Sequence, residues 1–338
     1  MYILSSDGDK AYMKNNHNLR KNKRNSKSEV VESARYTEQE LKRPYCLSII
    51  LLLSCIVQAW LSGEIYTKPK FPENGERESY IHISVDDTIE IFKDLTLNGG
   101  GYKSIFDQPE LKYCKFLHDH YGMVFSFYCF FSEDKENAFT LQDVTEKYKS
   151  EFSDNCEWMK FGFHAKDGSA YKELNADTEV RYYNRTLEQL LRITGSEKCI
   201  DTGFIRLNRY CASKEVVEAL KRLPNGPKGL LCADDPTRVS YDLSAEESSI
   251  LHRYDWYQRE NSLCYTPTDV RVENIQNPLD FYKVIRKISG QKVKIIFTHE
   301  VYLKDETVRK YLQWIGEYAT ATNCIFRYPS VQDGSLPA

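Results

Sequence analysis

The apolar positions of this chain fall into short runs separated by longer stretches of helical spacing, and the most apolar runs each stop on a charged or imidazole side chain. Tyr80–Val85 runs into Asp86-Asp87, Trp158–Phe163 into His164, Ile200–Ile205 into Arg206, Lys228–Ala233 into Asp234-Asp235, and Val293–Thr298 into His299-Glu300. Such runs predict buried strands. The spacing predicts helices from Pro109 to His120, over 178–194 up to Gly195, and over 213–223, 278–288 and 305–320. Met123–Phe131, Val270–Val272 and 323–327 read as further strands, a short helix is expected around 141–153, and the stretch from 234 to about 268 reads as irregular. A βαβα rhythm of this kind argues for a largely parallel sheet or barrel with helices outside. In those folds the strand C-termini share one face, where the chemistry is held. Several strands aiming carboxylates, imidazoles and a guanidinium at one face point to a metal-dependent active site.

The front of the chain follows another pattern. Residues 1–43 carry ten Lys or Arg with almost no apolar periodicity, which predicts a disordered basic tail. Residues 44–62 predict an apolar helix, because Tyr45–Leu61 holds no charge. As a helix that uncharged run reaches about 25 Å against a hydrocarbon core of about 30 Å. It is read as a membrane segment, and the excess of Lys and Arg before it places the N-terminus in the cytoplasm and the rest outside. A secreted protein whose signal is cleaved near Val57-Gln-Ala59 is the alternative, and a buried helix is a third. Residues 63–79, with Pro69, Pro72 and Gly75, read as a linker, leaving 80–330 as the domain.

Net charge changes little in this picture. At -3 over 338 residues the chain has no global attraction for nucleic acid. Its 24 tyrosines suit a groove that meets sugars, as they suit any half-buried surface. The ten cysteines form no Cys-x-x-Cys pair, so a structural zinc site has no support. They read as small core residues, with disulfides open for an exported domain.

Adjacent carboxylates repel unless a cation or a proton separates their roles. In Asp86-Asp87 one would bind a divalent ion while the other acts as general base on a water; equally, Asp87 would cap a helix starting at Thr88. His164 and His299 each end a strand, where neutral imidazole serves as ligand or acid. Arg206 would hold a carboxylate of the site or bind an anionic group of substrate, or form a surface ion pair. Asp234-Asp235-Pro236 reads as a turn, and His252, Asp255 and Asp269 are further candidates that spacing does not separate.

These motifs resemble the polysaccharide deacetylases of carbohydrate esterase family 4, the nodulation-protein type. Ser84-Val-Asp-Asp87 is similar to their Thr-Phe-Asp-Asp strand end, Phe161-Gly-Phe-His164 to their metal-histidine strand, and Ile295-Ile-Phe-Thr-His299 to their closing strand. The resemblance covers about residues 78–328 and implies a divergent branch with a distorted (β/α) barrel of about seven parallel strands. It implies a divalent metal, most often Zn2+, and removal of acetyl groups from a polysaccharide by a metal-activated water. Carried over, Asp86 is the general base, His299 the general acid, and Asp87 and His164 the metal ligands; Arg206, from its own strand-end position, is expected to bind substrate. Two departures stand out. The family's second metal histidine falls on Gly168, leaving Asp167, His299 or water to substitute, and its Arg-x-Pro-Tyr element is only echoed by Arg206-Leu-Asn-Arg-Tyr210. A degenerate glycan-binding relative therefore stays open. So does a membrane-anchored, metal-dependent glycosyltransferase, although Gly99-Gly-Gly101 is too isolated for a phosphate loop.

Overall fold

The computed structural model describes residues 48–58, 79–169, 175–259 and 262–332. Residues 48–58 are helical (α1), with Ile49 to Leu53, Ile56 and Val57 exposed. No helix among the described residues is long and apolar enough to cross a membrane. The remainder of the expected 44–62 helix, the tail 1–43 and the linker up to residue 78 lie outside the described residues.

The domain is a mostly parallel α/β structure. One sheet runs β3 (Met159–Ala165), β2 (Phe125–Phe130), β1 (Tyr80–Thr88), β9 (Val293–His299) and β8 (Val270–Arg271), with β10 (Ile325–Phe326) on the first residues of β1. A second runs β4 (Phe204–Ile205), β5 (Gly229–Leu231), β7 (Cys264–Thr266) and β6 (Tyr257–Gln258), the last antiparallel. Both junctions between the sheets are tied. The Asp201 N–H donates to the Phe161 carbonyl at 2.8 Å, joining β3 to the approach of β4. On the other side β7 lies on β5 and β8 on β9, four residues apart in one segment. The pairing therefore bends round into a barrel-like ring with strand C-termini at one end.

Helices α2 (Glu90–Leu97), α3 (Pro109–Tyr121), α4 (Lys149–Asp154), α5 (Ala176–Thr194), α6 (Lys214–Arg222), α7 (Ala245–Tyr254), α8 (Pro278–Ile288) and α9 (Glu306–Thr322) follow the strands. Alternation along β1 shows the two layers. Ile81, Ile83 and Val85 join the apolar core with Phe92, Phe127, Phe161 and Leu312, while His82, Ser84 and Asp86 form the buried opposite column. Gln108 caps α3 ahead of Pro109, and Gly122 closes it in the left-handed conformation at φ 70°.

The expected helices at 109–120, 178–194, 213–223, 278–288 and 305–320 match observed ones to within two residues. The expected strands 200–206 and 228–233 shrink to two and three residues, and the helix around 141–153 becomes a 3-10 turn at Leu141–Asp143 followed by α4. The supposedly irregular stretch contains α7, β6 and β7. The described cysteines are all free thiols, most of them buried, so no disulfide forms among the described residues.

Candidate active site

The strand ends converge because β1 breaks its register with β2 between Val85 and Thr88. At the break Asp87 adopts φ 60°, the left-handed region, which Asp tolerates better than most residues. Both consecutive carboxylates thereby reach one cavity of about 300 Å³, whose wall also includes His164, Arg206, Tyr210 and His299.

Asp86 is buried and accepts a 2.8 Å hydrogen bond from Arg206 Nη1. The same guanidinium donates to Ser84 Oγ at 2.7 Å and Thr268 Oγ1 at 3.0 Å, and its centre lies 4.1 Å from the Phe297 ring centroid. Burial alone would lower the Arg206 pKa, but the Asp86 carboxylate together with Tyr210, Tyr128 and Tyr241 outweighs it and the net shift is upward. Arg206 thus sits inside the barrel and fixes the orientation of Asp86.

His164 Nδ1 lies 2.6 Å from the Arg206 carbonyl oxygen. A carbonyl only accepts, so Nδ1 carries the proton, and the Nε2 of a neutral ring presents its lone pair. That Nε2 is 3.1 Å from Asp87 Oδ1. Two electron-rich atoms this close require a cation or a second proton between them. Burial would raise the Asp87 pKa, but the hydrogen bond and charge of His164, with His299 and Arg209, bring it below the usual carboxylate value.

His299 Nδ1 is 2.5 Å from Glu273 Oε1, and its Nε2 is 4.0 Å from Asp87 Oδ2. Burial would lower its pKa, but the Glu273 hydrogen bond and the charges of Asp86, Glu273 and Asp87 raise it. Its neighbour Glu300 has another task. The carboxylate accepts the backbone N–H groups of Ile89, Glu90 and Ile91 at 3.1, 2.9 and 2.7 Å. α2 has no side-chain cap of its own, so Glu300 caps it from a distance and Asp87 does not, which corrects the capping alternative. This contact also locks the end of β9 against the Asp86-Asp87 bend.

The donor set suits a divalent ion in part. Asp87 and His164 face each other as two ligands would, with His299 nearby. Asp167 is engaged locally: Oδ1 accepts from the Ser169 N–H and hydroxyl, and Oδ2 is 3.0 Å from Lys166 Nζ. Gly168 lines the cavity without a side chain. Among the described residues no three His, Cys, Asp or Glu side chains are grouped to hold a metal ion. Other sequence candidates serve elsewhere. Asp269 accepts from the Ile295 N–H and Gln291, Asp235 closes a turn with Thr237, and Asp255 ends α7 in the left-handed region. Glu273 is the functional residue that sequence reasoning missed. It follows the short expected strand Val270–Val272, which Arg271 interrupts, so no apolar run pointed to it.

No protein-family model matches the sequence, and no curated protein matches it. In fold, the chain is similar at a distance to polysaccharide deacetylase catalytic domains and to an allantoinase. The catalytic domain of a peptidoglycan N-acetylglucosamine deacetylase from Eubacterium rectale shares 12% identity over 79% of this chain and 95% of its own, with a TM-score of 0.38. Puue allantoinase shares 9% over 80% and 93%, at 0.47. A mutant of a CE4 family pseudoenzyme with restored enzymatic activity shares 11% over 78% and 70%, at 0.37. Likeness at this level concerns the path of the chain, and the functional reading that follows rests on the site.

Proposed function

We propose that the domain is a hydrolase of acylated glycans, removing an acetyl group with Asp86 as base and His299 as acid. The observation that carries this reading is the pair of supported groups flanking Asp87 and His164: a carboxylate held by a guanidinium and an imidazole held by a carboxylate. Asp86, kept in place by Arg206, takes the proton of the attacking water. His299, whose pKa Glu273 and the neighbouring aspartates raise against burial, gives its proton to the leaving amine or alkoxide. The raised pKa of His299 suits it to the acid role, as acid–base catalysis needs. Asp87 and His164 would hold a divalent ion, which when bound polarises the acyl carbonyl and acidifies water. His164 keeps its lone pair toward that position because Nδ1 is committed to the Arg206 carbonyl.

A glycan-binding relative without catalysis is the second reading, favoured by the missing third ligand at Gly168. On the sequence alone, we also place the domain outside the cytoplasm, anchored through residues 45–61. Membrane fractionation with protease protection checks that placement.

The deciding experiment is metal content, by elemental mass spectrometry, of the full chain beside His164→Ala, with acetate release from acetylated glycans. About one ion per chain, absent in the variant, supports the reading. Asp87→Ala should lose metal and activity together, whereas Asp86→Asn should keep metal and lose about 10²- to 10⁴-fold in rate. No metal after reconstitution moves the assignment to the binding relative.

A further inference from the structure

The far wall of the cavity is cationic. Arg206, Arg209, Arg238 and Arg271 line it against two aspartates, Asp86 and Asp87. Arg206 is committed to Asp86; Arg238 and Arg271 meet at the ring of Tyr210, and Arg209 precedes it in the chain. The Arg238 guanidinium lies 4.8 Å from the Tyr210 centroid and donates to the Arg209 carbonyl at 3.3 Å. Arg271 donates to the Tyr210 hydroxyl at 3.3 Å, stands 4.9 Å from the Phe297 centroid, and has Asp234 at 3.4 Å. Its Nε is buried without a hydrogen-bond partner.

The backbone carrying this group is strained. Arg209 and Tyr210 are consecutive left-handed residues, at φ 55° and 57°, and neither is glycine. Such positions cost about 1–2 kcal/mol each and persist only where surrounding structure enforces them. Here the Tyr210 N–H bonds the Leu207 carbonyl and its own carbonyl accepts from Tyr241. Arg271 has Asp234 beside it and Arg209 acts on Asp87, yet four guanidiniums against Asp86, Asp87 and Asp234 leave the cavity with an excess of positive charge, which suits an anion.

We propose that Arg209, Arg238 and Arg271 form a subsite for an anionic group, a carboxylate or a sulfate, on the glycan. The inference rests on the hydrolase reading and narrows its substrate class to acidic glycans. Because subsite and supported acid–base pair share one small cavity, the charged group belongs to the acylated sugar or its neighbour. The guanidinium forks take the oxyanion, and Tyr210 fixes their spacing.

The test is calorimetric titration of the full chain, in non-ionic detergent, with three hexasaccharides: hyaluronan for carboxylate, chondroitin sulfate for sulfate, and neutral chitohexaose. At least one acidic oligosaccharide should bind about tenfold tighter than chitohexaose, with the advantage shrinking in 0.5 M salt. Arg209→Gln and Arg238→Gln alter exposed side chains, and each should reduce the preference while leaving chitohexaose affinity and the melting temperature unchanged. Equal binding of acidic and neutral sugars, no binding of either acidic sugar at millimolar concentration, or a preference surviving both substitutions together overturns the subsite. Binding is read apart from turnover. Acidic sugars that bind but release no acetate sink the hydrolase reading alone, and acetate released from chitohexaose without any acidic preference sinks the subsite alone.

Discussion

The strands β1, β2, β3 and β9 run for six to nine residues, whereas β4, β5, β7 and β8 run for two or three, and the two sides of the barrel supply opposite chemistry. The long side ends in Asp86, Asp87, His164 and His299. The short side contributes Arg206 from just beyond β4, Arg271 from β8, and Arg209 and Arg238 from loops. Long strands carry the carboxylates and imidazoles: Asp86 stays paired with His299 across β1 and β9, while the break in register between β1 and β2 turns Asp87 toward the cavity. The short side relies on side-chain bonds, such as Tyr241, whose hydroxyl donates to the Leu231 carbonyl and accepts the Leu207 N–H. The difference teaches that the carboxylates and imidazoles on one side and the guanidiniums on the other are positioned by different means within one cavity.

Arg206 links the two sides, so removing it should have the largest effect. Arg206→Ala leaves Asp86 buried without its counter-charge and should cost about 3–5 kcal/mol in denaturant unfolding, with acetate release abolished. If stability holds, the two sides are not joined through this pair.

Gly168→His sharpens the comparison by adding to the cavity the imidazole the sequence lacks. A Cβ at this position meets only the Phe130 ring, at 4.0 Å, so space exists. Metal affinity should rise by about tenfold or more, read by competition with a chelator. An unchanged affinity would indicate that the ion is not held at Asp87 and His164.

Glu273→Gln tests the long side's dependence on the short segment after β8. Removing the carboxylate that raises the His299 pKa should move the alkaline limb of the rate profile to lower pH and cut the rate above neutrality by at least about tenfold. Stability follows the same sign. A histidine whose folded pKa is raised contributes fully below about pH 6.5 and loses that contribution as pH rises through the folded value. The variant should flatten this slope, measured as melting temperature against pH.

Tyr241→Phe should give the smallest effect, about 1 kcal/mol from the lost bridge between Leu231 and Leu207. A larger loss would mean that the short side depends on this hydroxyl for its fold.

Legibility divides along the same line. β1, β3 and β9 were readable because their apolar runs exceed a turn of chain and end on distinctive residues, and α5, α8 and α9 because their apolar spacing is regular. β6, β7 and α7 were hidden: unlike β4 and β5, β6 and β7 are not embedded in a longer apolar run, and α7 buries only Leu251. The meeting of Asp86, Asp87, His164 and His299 was expected from strand ends, and Arg206 was among the residues expected to hold a carboxylate there, but which carboxylate it holds and the Glu273 partner of His299 were not. Glu273 lies 26 residues from His299 in sequence, and Arg206 lies 120 from Asp86.

By itself the sequence determined the alternation of strands and helices, the strand-end placement of the acid and imidazole groups, and the absence of a side chain at position 168. These are local properties, written in neighbouring residues. The tertiary structure decided that Arg206 turns inward to hold Asp86, that Glu273 raises the His299 pKa, that Glu300 caps α2, and that Arg238 and Arg271 meet at Tyr210. Each depends on barrel closure bringing distant segments within hydrogen-bond range, where burial strengthens the interaction between charges that water would otherwise screen.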